Sequence, residues 1–128
     1  MKANEIFEGG RFAVIIGDGF SSRDLAVRLS VFSDIPCVIC DSRRSAASLL
    51  APSCAFFKLP SSDCVETLEL CLNDIYLCSE EGMKFIIFNS KKYRKLQNEL
   101  EEKLDSKFIF ANSRTIFSYS ARANLKSV

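Results

Sequence analysis

The chain contains no histidine. Without an imidazole it can form no Ser-His-Asp triad, has no histidine acid or base, and lacks the commonest zinc ligand. Any chemistry here must use other groups. It also lacks a charge excess of either sign: 17 Lys+Arg stand against 16 Asp+Glu, a formal net charge of +1. Nucleic acid or an anionic membrane would call for clustered surplus Lys and Arg, so neither is expected as a partner. No uninterrupted apolar stretch approaches the roughly 20 residues of a membrane span. Met1–Glu8 lacks the apolar segment of a secretion signal. There is no internal repeat, low-complexity tract or Pro/Ser-rich linker, so residues 1–128 are expected to form a single domain.

What the chain does have is apolar mass: 48% of its 128 residues, including 11 Phe, enough for one core without staples. Its six Cys are better explained as buried thiols than as a disulfide framework. Cys37 and Cys40 lie three apart in an apolar run, and an odd separation along a strand sends side chains to opposite faces. Cys64, Cys71 and Cys78 recur every seven residues on a helical pattern, where small core-facing residues would repeat. A reducing, cytoplasmic setting is the expectation.

Periodicity alternates strands and helices. Phe12–Ile16 is a continuous apolar run between glycines, the pattern of a strand buried on both faces. Ser22–Phe32 follows as a helix with Leu25, Ala26, Leu29 and Phe32 on one face and Arg23, Asp24 and Arg28 outside. Pro36–Cys40 predicts a second strand, Arg43–Leu50 a short helix closed by Pro52, and Cys54–Leu59 a third strand. Ser61–Ser79 predicts a long helix capped by Ser61 or Ser62, with Gly82 just beyond its end. Lys84–Phe88 is the fourth strand, Ser90 caps a helix running to Leu104, and Lys107–Ala111 is a short fifth strand. Asn112–Val128 carries a weak helical pattern and would begin a connection to whatever follows. Such alternation implies right-handed crossovers and an α/β fold: an open, mainly parallel sheet of about five strands with helices on both faces, Rossmann-like.

Three segments could carry a site. Gly17-Asp18-Gly19-Phe20-Ser21-Ser22 joins the first strand to the first helix, the loop that borders the ligand crevice of open α/β sheets. Its N–H groups are expected to face the space between the first and fourth strands. Ser22 stands where a dinucleotide fingerprint has its third glycine, and Asp18 would repel a pyrophosphate. A plain turn is the competing explanation. Asp41-Ser42-Arg43-Arg44 ends the second strand, 24 residues after Gly17. The acid could hold ribose hydroxyls and the arginine a phosphate, or Asp41 and Ser42 could simply cap a helix. Asn89-Ser90 ends the fourth strand across the presumed crevice, with Ser90 as a helix cap the plainer role. Lys91-Lys92-Tyr93-Arg94-Lys95, followed by Glu99, Glu101 and Glu102, is a solvated helix face. A pair such as Lys95 with Glu99 would add a few tenths of a kcal/mol.

Taken together, Phe12–Phe20, Leu25–Leu29, Ile35–Arg43, Ala55–Pro60, Phe85–Ser90, Asn98–Leu100 and Ala121–Leu125 resemble, in order and over nearly the whole chain, the N-terminal domain of ATP-grasp carboxylate–amine ligases. In that family ATP phosphorylates a carboxylate and an amine attacks the acyl phosphate. ATP and Mg belong to later domains, whose catalytic lysines, glycine loop and acidic metal ligands have no counterpart here. The resemblance therefore implies a substrate-side domain that does not catalyse alone, binds no cofactor by itself, and is followed by an ATP-grasp domain. Its small-molecule substrate would be held by Gly17, Asp18, Gly19, Phe20 and Ser21, with Asp41, Arg43, Asn89 and Ser90 nearby and Asp18 meeting an amine. The alternatives are a stand-alone Rossmann-type module binding NAD or NADP, and a non-catalytic interaction domain.

Overall fold

The computed structural model describes residues 2–45, 53–61 and 64–118. Its centre is β1 (Phe12–Ile16), every residue of which is fully removed from solvent. Such a strand can exist only between two covering layers, and the rest of the chain supplies them. Around β1 lie β2 (Cys37–Asp41), β3 (Cys54–Lys58), β4 (Lys84–Phe88) and β5 (Ile109–Ala111), in the order β3-β2-β1-β4-β5 and all parallel. This is an open α/β sheet of Rossmann-like type, and its strand order reverses between β1 and β4.

Strand alternation sorts the core into two layers. Phe12, Val14, Ile16, Val38, Cys40, Ile86 and Phe88 face one side, against α1 (Ala3–Glu8), α3 (Val65–Cys78), α4 (Lys91–Arg94) and α5 (Gln97–Leu104). Ala13, Ile15, Cys37, Ile39, Phe85 and Ile87 face the other, against α2 (Phe20–Phe32) and Ile116. Cys37 and Cys40 thus lie on opposite faces, as their odd spacing predicts. Removing one of these central side chains, Ile15→Ala for instance, falls in the class that costs about 2–5 kcal/mol.

Several elements differ from expectation. Helix α1 has no counterpart in the periodicity reading, yet Ile6 and Phe7 are buried, with the Phe7 ring edge-on to Phe12 and Phe57. Helix α3 begins at Val65 rather than after a serine cap: its N-cap is Cys64, with no side-chain capping bond. Its end is closed by Ser79, whose hydroxyl donates to the Tyr76 carbonyl at 2.8 Å. The single helix expected from Ser90 to Leu104 is two, α4 and α5, broken around Lys95 and Leu96. Across that break no Lys95–Glu99 pair forms; an ion pair on this layer instead joins Lys103 to Glu69 of α3, at 3.5 Å. The helix expected over 43–50 falls mostly outside the described residues, as does the end of the tail.

All six cysteines are free, but only Cys37, Cys40 and Cys54 are buried. Cys64 and Cys78 are exposed and Cys71 is half-buried, so the seven-residue stripe is not a core stripe. The buried positions of α3 are Val65, Leu68, Leu72 and Ile75. Burial pushes the Cys40 thiol up, and a hydrogen bond to Cys54 together with burial does so for Cys37. Thiol labelling of the native protein should therefore modify Cys64 and Cys78 first and Cys71 more slowly, sparing Cys37 and Cys40 until unfolding. Prompt native-state labelling of Cys40 would contradict the fold.

Candidate functional site

The loops after β1, β2 and β4 meet at the carboxyl end of the sheet, where the strand order reverses. Gly17 leaves β1 with φ +115°, its N–H donating to the Cys40 carbonyl at 2.8 Å. A Cβ at this position would lie 2.5 Å from the Ser90 Cβ and 3.0 Å from the Asn89 carbonyl oxygen. The loops of β1 and β4 are thus in direct backbone contact, which only a glycine at position 17 allows.

Asp18 is the hub of the arrangement. Its N–H donates to Asp41 Oδ2 at 2.8 Å. Its own carboxylate accepts from the Gly19 N–H at 2.7 Å, Arg23 Nε at 3.0 Å, Arg23 Nη2 at 3.1 Å and the Ser45 N–H at 2.7 Å. The pair is enclosed: the Asp18 side chain is 2% exposed and that of Arg23 8%. Burial alone would raise the Asp18 carboxyl, but the Arg23 guanidinium and the two N–H donors outweigh it and hold the group below the usual carboxylate range. The hydrogen bond to Asp18 in turn raises the Arg23 guanidinium.

This geometry corrects two expectations. Arg23 does not face water, and Asp18 presents no carboxylate oxygen to a substrate amine, since both oxygens are turned inward. Its charge is neutralised by Arg23, which also removes the repulsion it was expected to exert on an anion.

Asp41 is likewise engaged. Besides the Asp18 N–H, it accepts from the Ser42 N–H at 2.7 Å and from the hydroxyl of buried Tyr93 at 3.3 Å. Asn89 crosses from β4 to the start of α2, its Nδ2 donating to Ser22 Oγ at 2.9 Å and Ser21 Oγ at 3.2 Å. Ser22 is buried and donates to the Gly17 carbonyl oxygen. Ser90 caps α4 by accepting from the Lys92 N–H at 3.2 Å.

The N–H groups of residues 17 to 19 are all used internally, so they do not face the crevice as expected. The first bond of α2 runs from Arg23 N–H to the Gly19 carbonyl, and no side chain caps the helix. The N–H groups of Phe20, Ser21 and Ser22 precede that bond at the positive end of a 13-residue helix. Beside them Gly19 has open space where a Cβ would be, and Phe20 is 78% exposed.

The structure therefore brings Gly17, Asp18, Gly19, Phe20, Ser21, Asp41, Asn89 and Ser90 into one cluster. Arg43 is not part of it and lies in the open, toward the β3 edge. Sequence reasoning missed Arg23, Tyr93 and the structural use of Ser22. Arg23 sits five residues after its partner, across a glycine, a spacing with no helical signature; Tyr93 stood inside the Lys91–Lys95 run that reads as a solvated helix face.

Among the described residues no group of three or more Cys, Asp or Glu is placed to hold a metal ion, and no helix is long and apolar enough to cross a membrane. The protein is an open α/β domain with a loop cluster at the carboxyl end of a parallel sheet. Comparison with known proteins finds no matching family profile, no matching curated protein and no matching solved structure.

Proposed function

We propose that the chain is a small-molecule-binding domain serving as the substrate-side wall of an ATP-grasp carboxylate–amine ligase, and that the group it holds is the substrate carboxylate. The observation that carries this reading is the start of α2: uncapped N–H groups at Phe20–Ser22, open space at Gly19, and an adjacent Asp18 already neutralised by Arg23. A helix N-terminus of this kind suits an anion. The dinucleotide alternative is weaker because the oxygens of Asp41, the acid that would accept ribose hydroxyls, are engaged with the Asp18 and Ser42 N–H groups and the Tyr93 hydroxyl. Ser22, at the third-glycine position, is tied to Gly17 and Asn89.

The chain is a wall and not a catalyst: the one buried acid–base pair among the described residues, Asp18 with Arg23, is locked in mutual hydrogen bonds. Two measurements test this. With Mg-ATP, a panel of carboxylates and a panel of amines, the purified chain should release no ADP above background. In amide NMR spectra, small carboxylates such as acetate or alanine should shift Phe20, Ser21 and Ser22. Substrate-dependent ADP release would overturn the wall reading, and tight NAD or NADP binding centred on Asp41 would replace it with the dinucleotide reading.

A further inference from the structure

Beyond the loop cluster, the same end of the sheet carries a second feature. A hollow of about 610 Å³ opens at the ends of β2 and β3, lined by Ser42, Arg43, Arg44, Phe56, Lys58 and Ser61. Three of these six are cations and none is an acid. Among the described residues, the side chains of Arg43, Arg44 and Lys58 make no ion pair or hydrogen bond. The nearest strand carboxylate is Asp41, which is in register with Lys58, but its oxygens are held by the Asp18 and Ser42 N–H groups and the Tyr93 hydroxyl. A fourth cation borders the hollow, since Lys92 Nζ donates to Ser42 Oγ at 3.3 Å. In a chain of net charge +1 this is a strong local surplus.

We infer that this hollow binds the phosphate monoester of a small molecule. A monoester carries close to two negative charges at neutral pH and three acceptor oxygens, which matches several cations and two hydroxyls better than a carboxylate does. The arginines offer forked donors, Lys58 a point charge, and half-buried Phe56 an apolar surface for the organic part. The volume lies within the usual range for small-ligand pockets. The inference deepens the proposed function by giving the substrate a phosphate as well as a carboxylate, and it rests on that reading for the choice of this edge as the binding edge.

Titration of the isotope-labelled chain with phenyl phosphate and with inorganic phosphate tests it, with sodium chloride at matched ionic strength as reference. Saturable shifts are expected at the amides of Ser42, Arg43 and Lys58. The double variant Arg43→Gln/Arg44→Gln should weaken binding by about tenfold or more. Because both arginines are exposed, the variant should keep the native fold, and its amide spectrum reports this directly; Lys58→Gln gives an independent second loss. Saturation by phenyl phosphate but not by inorganic phosphate would assign the site to the ester, and saturation by both to the phosphoryl group itself; either supports the inference. Equal shifts from chloride, or unchanged affinity in both variants, would overturn it. Shifts confined to Phe20–Ser22 would overturn the hollow while leaving the proposed function standing.

Discussion

Replacing Asp18 by alanine is expected to destabilise the protein by about 3 kcal/mol, because it strands a buried guanidinium and orphans two backbone N–H donors at once. The Arg23 side chain is 8% exposed, and its Nε and Nη2 both point at Asp18. The N–H groups of Gly19 and Ser45 lose their acceptor in the same step. For a chain of this length that corresponds to a fall of roughly 10 °C in melting temperature. Asp18→Asn should do nearly as badly, since the amide nitrogen would face donors. Arg23→Ala should also be costly, while the double variant should cost clearly less than the sum of the two. Additivity would mean that the pair is not a unit.

The same pair gives a pH signature. The folded Asp18 carboxyl titrates below its unfolded value, so its contribution to stability is fully present above the unfolded value of about 3.9 and is lost as the pH falls through the folded value. The stability gap between wild type and Asp18→Asn should therefore be widest near neutrality and close on acidification. Urea melts at a series of pH values between about 7 and 3 measure it. A gap that stayed constant to the lowest pH would show that the carboxylate charge is not what Arg23 requires.

These effects could not have been read from the sequence, and the reason is physical. Strands β1 and β4 were legible because each is a short run buried on both faces, with few other ways to hide four or five consecutive apolar residues. Helix α2 was legible from its Leu25, Ala26 and Leu29 face. Periodicity reports which residues face the core but says nothing of how polar side chains pair across loops. Arg23 was assigned to water because charged residues usually are, and only the fold shows the Asp18 carboxylate reaching it from the loop before α2.

The cysteine stripe failed for a different reason. Seven residues turn a helix by nearly two full turns, so Cys71 and Cys78 do share a face. That face lies beside the Leu68, Leu72 and Ile75 stripe rather than on it, and Cys64 only precedes the helix. Helix α1 escaped because six residues with two adjacent apolar positions cannot display a period. The site's location, at the loops after β1, β2 and β4, followed from topology. Its internal wiring did not.

The two glycines of the β1 loop should separate folding from binding. Both have positive φ, +115° at Gly17 and +148° at Gly19, so alanine is strained at either position by about 1–3 kcal/mol. They differ in what surrounds them. At Gly17 the added methyl meets the Ser90 Cβ and the Asn89 backbone, neither of which can retreat without parting the loops of β1 and β4. Gly17→Ala should therefore add a steric cost to the strain, losing more than about 3 kcal/mol and disturbing the Asn89 bonds to Ser21 and Ser22. At Gly19 the methyl meets nothing within 4 Å, so Gly19→Ala should cost only the strain and leave a folded protein. Under the proposed function, that methyl stands in the space beside the free N–H groups of α2. Gly19→Val should thus weaken carboxylate binding more than it lowers the melting temperature, whereas Gly17→Ala should lower both together. Measuring melting temperature and amide shifts at Phe20–Ser22 on the same samples decides the matter. If Gly19→Val binds as well as wild type while remaining folded, the ligand does not approach the start of α2, and the carboxylate site must be abandoned.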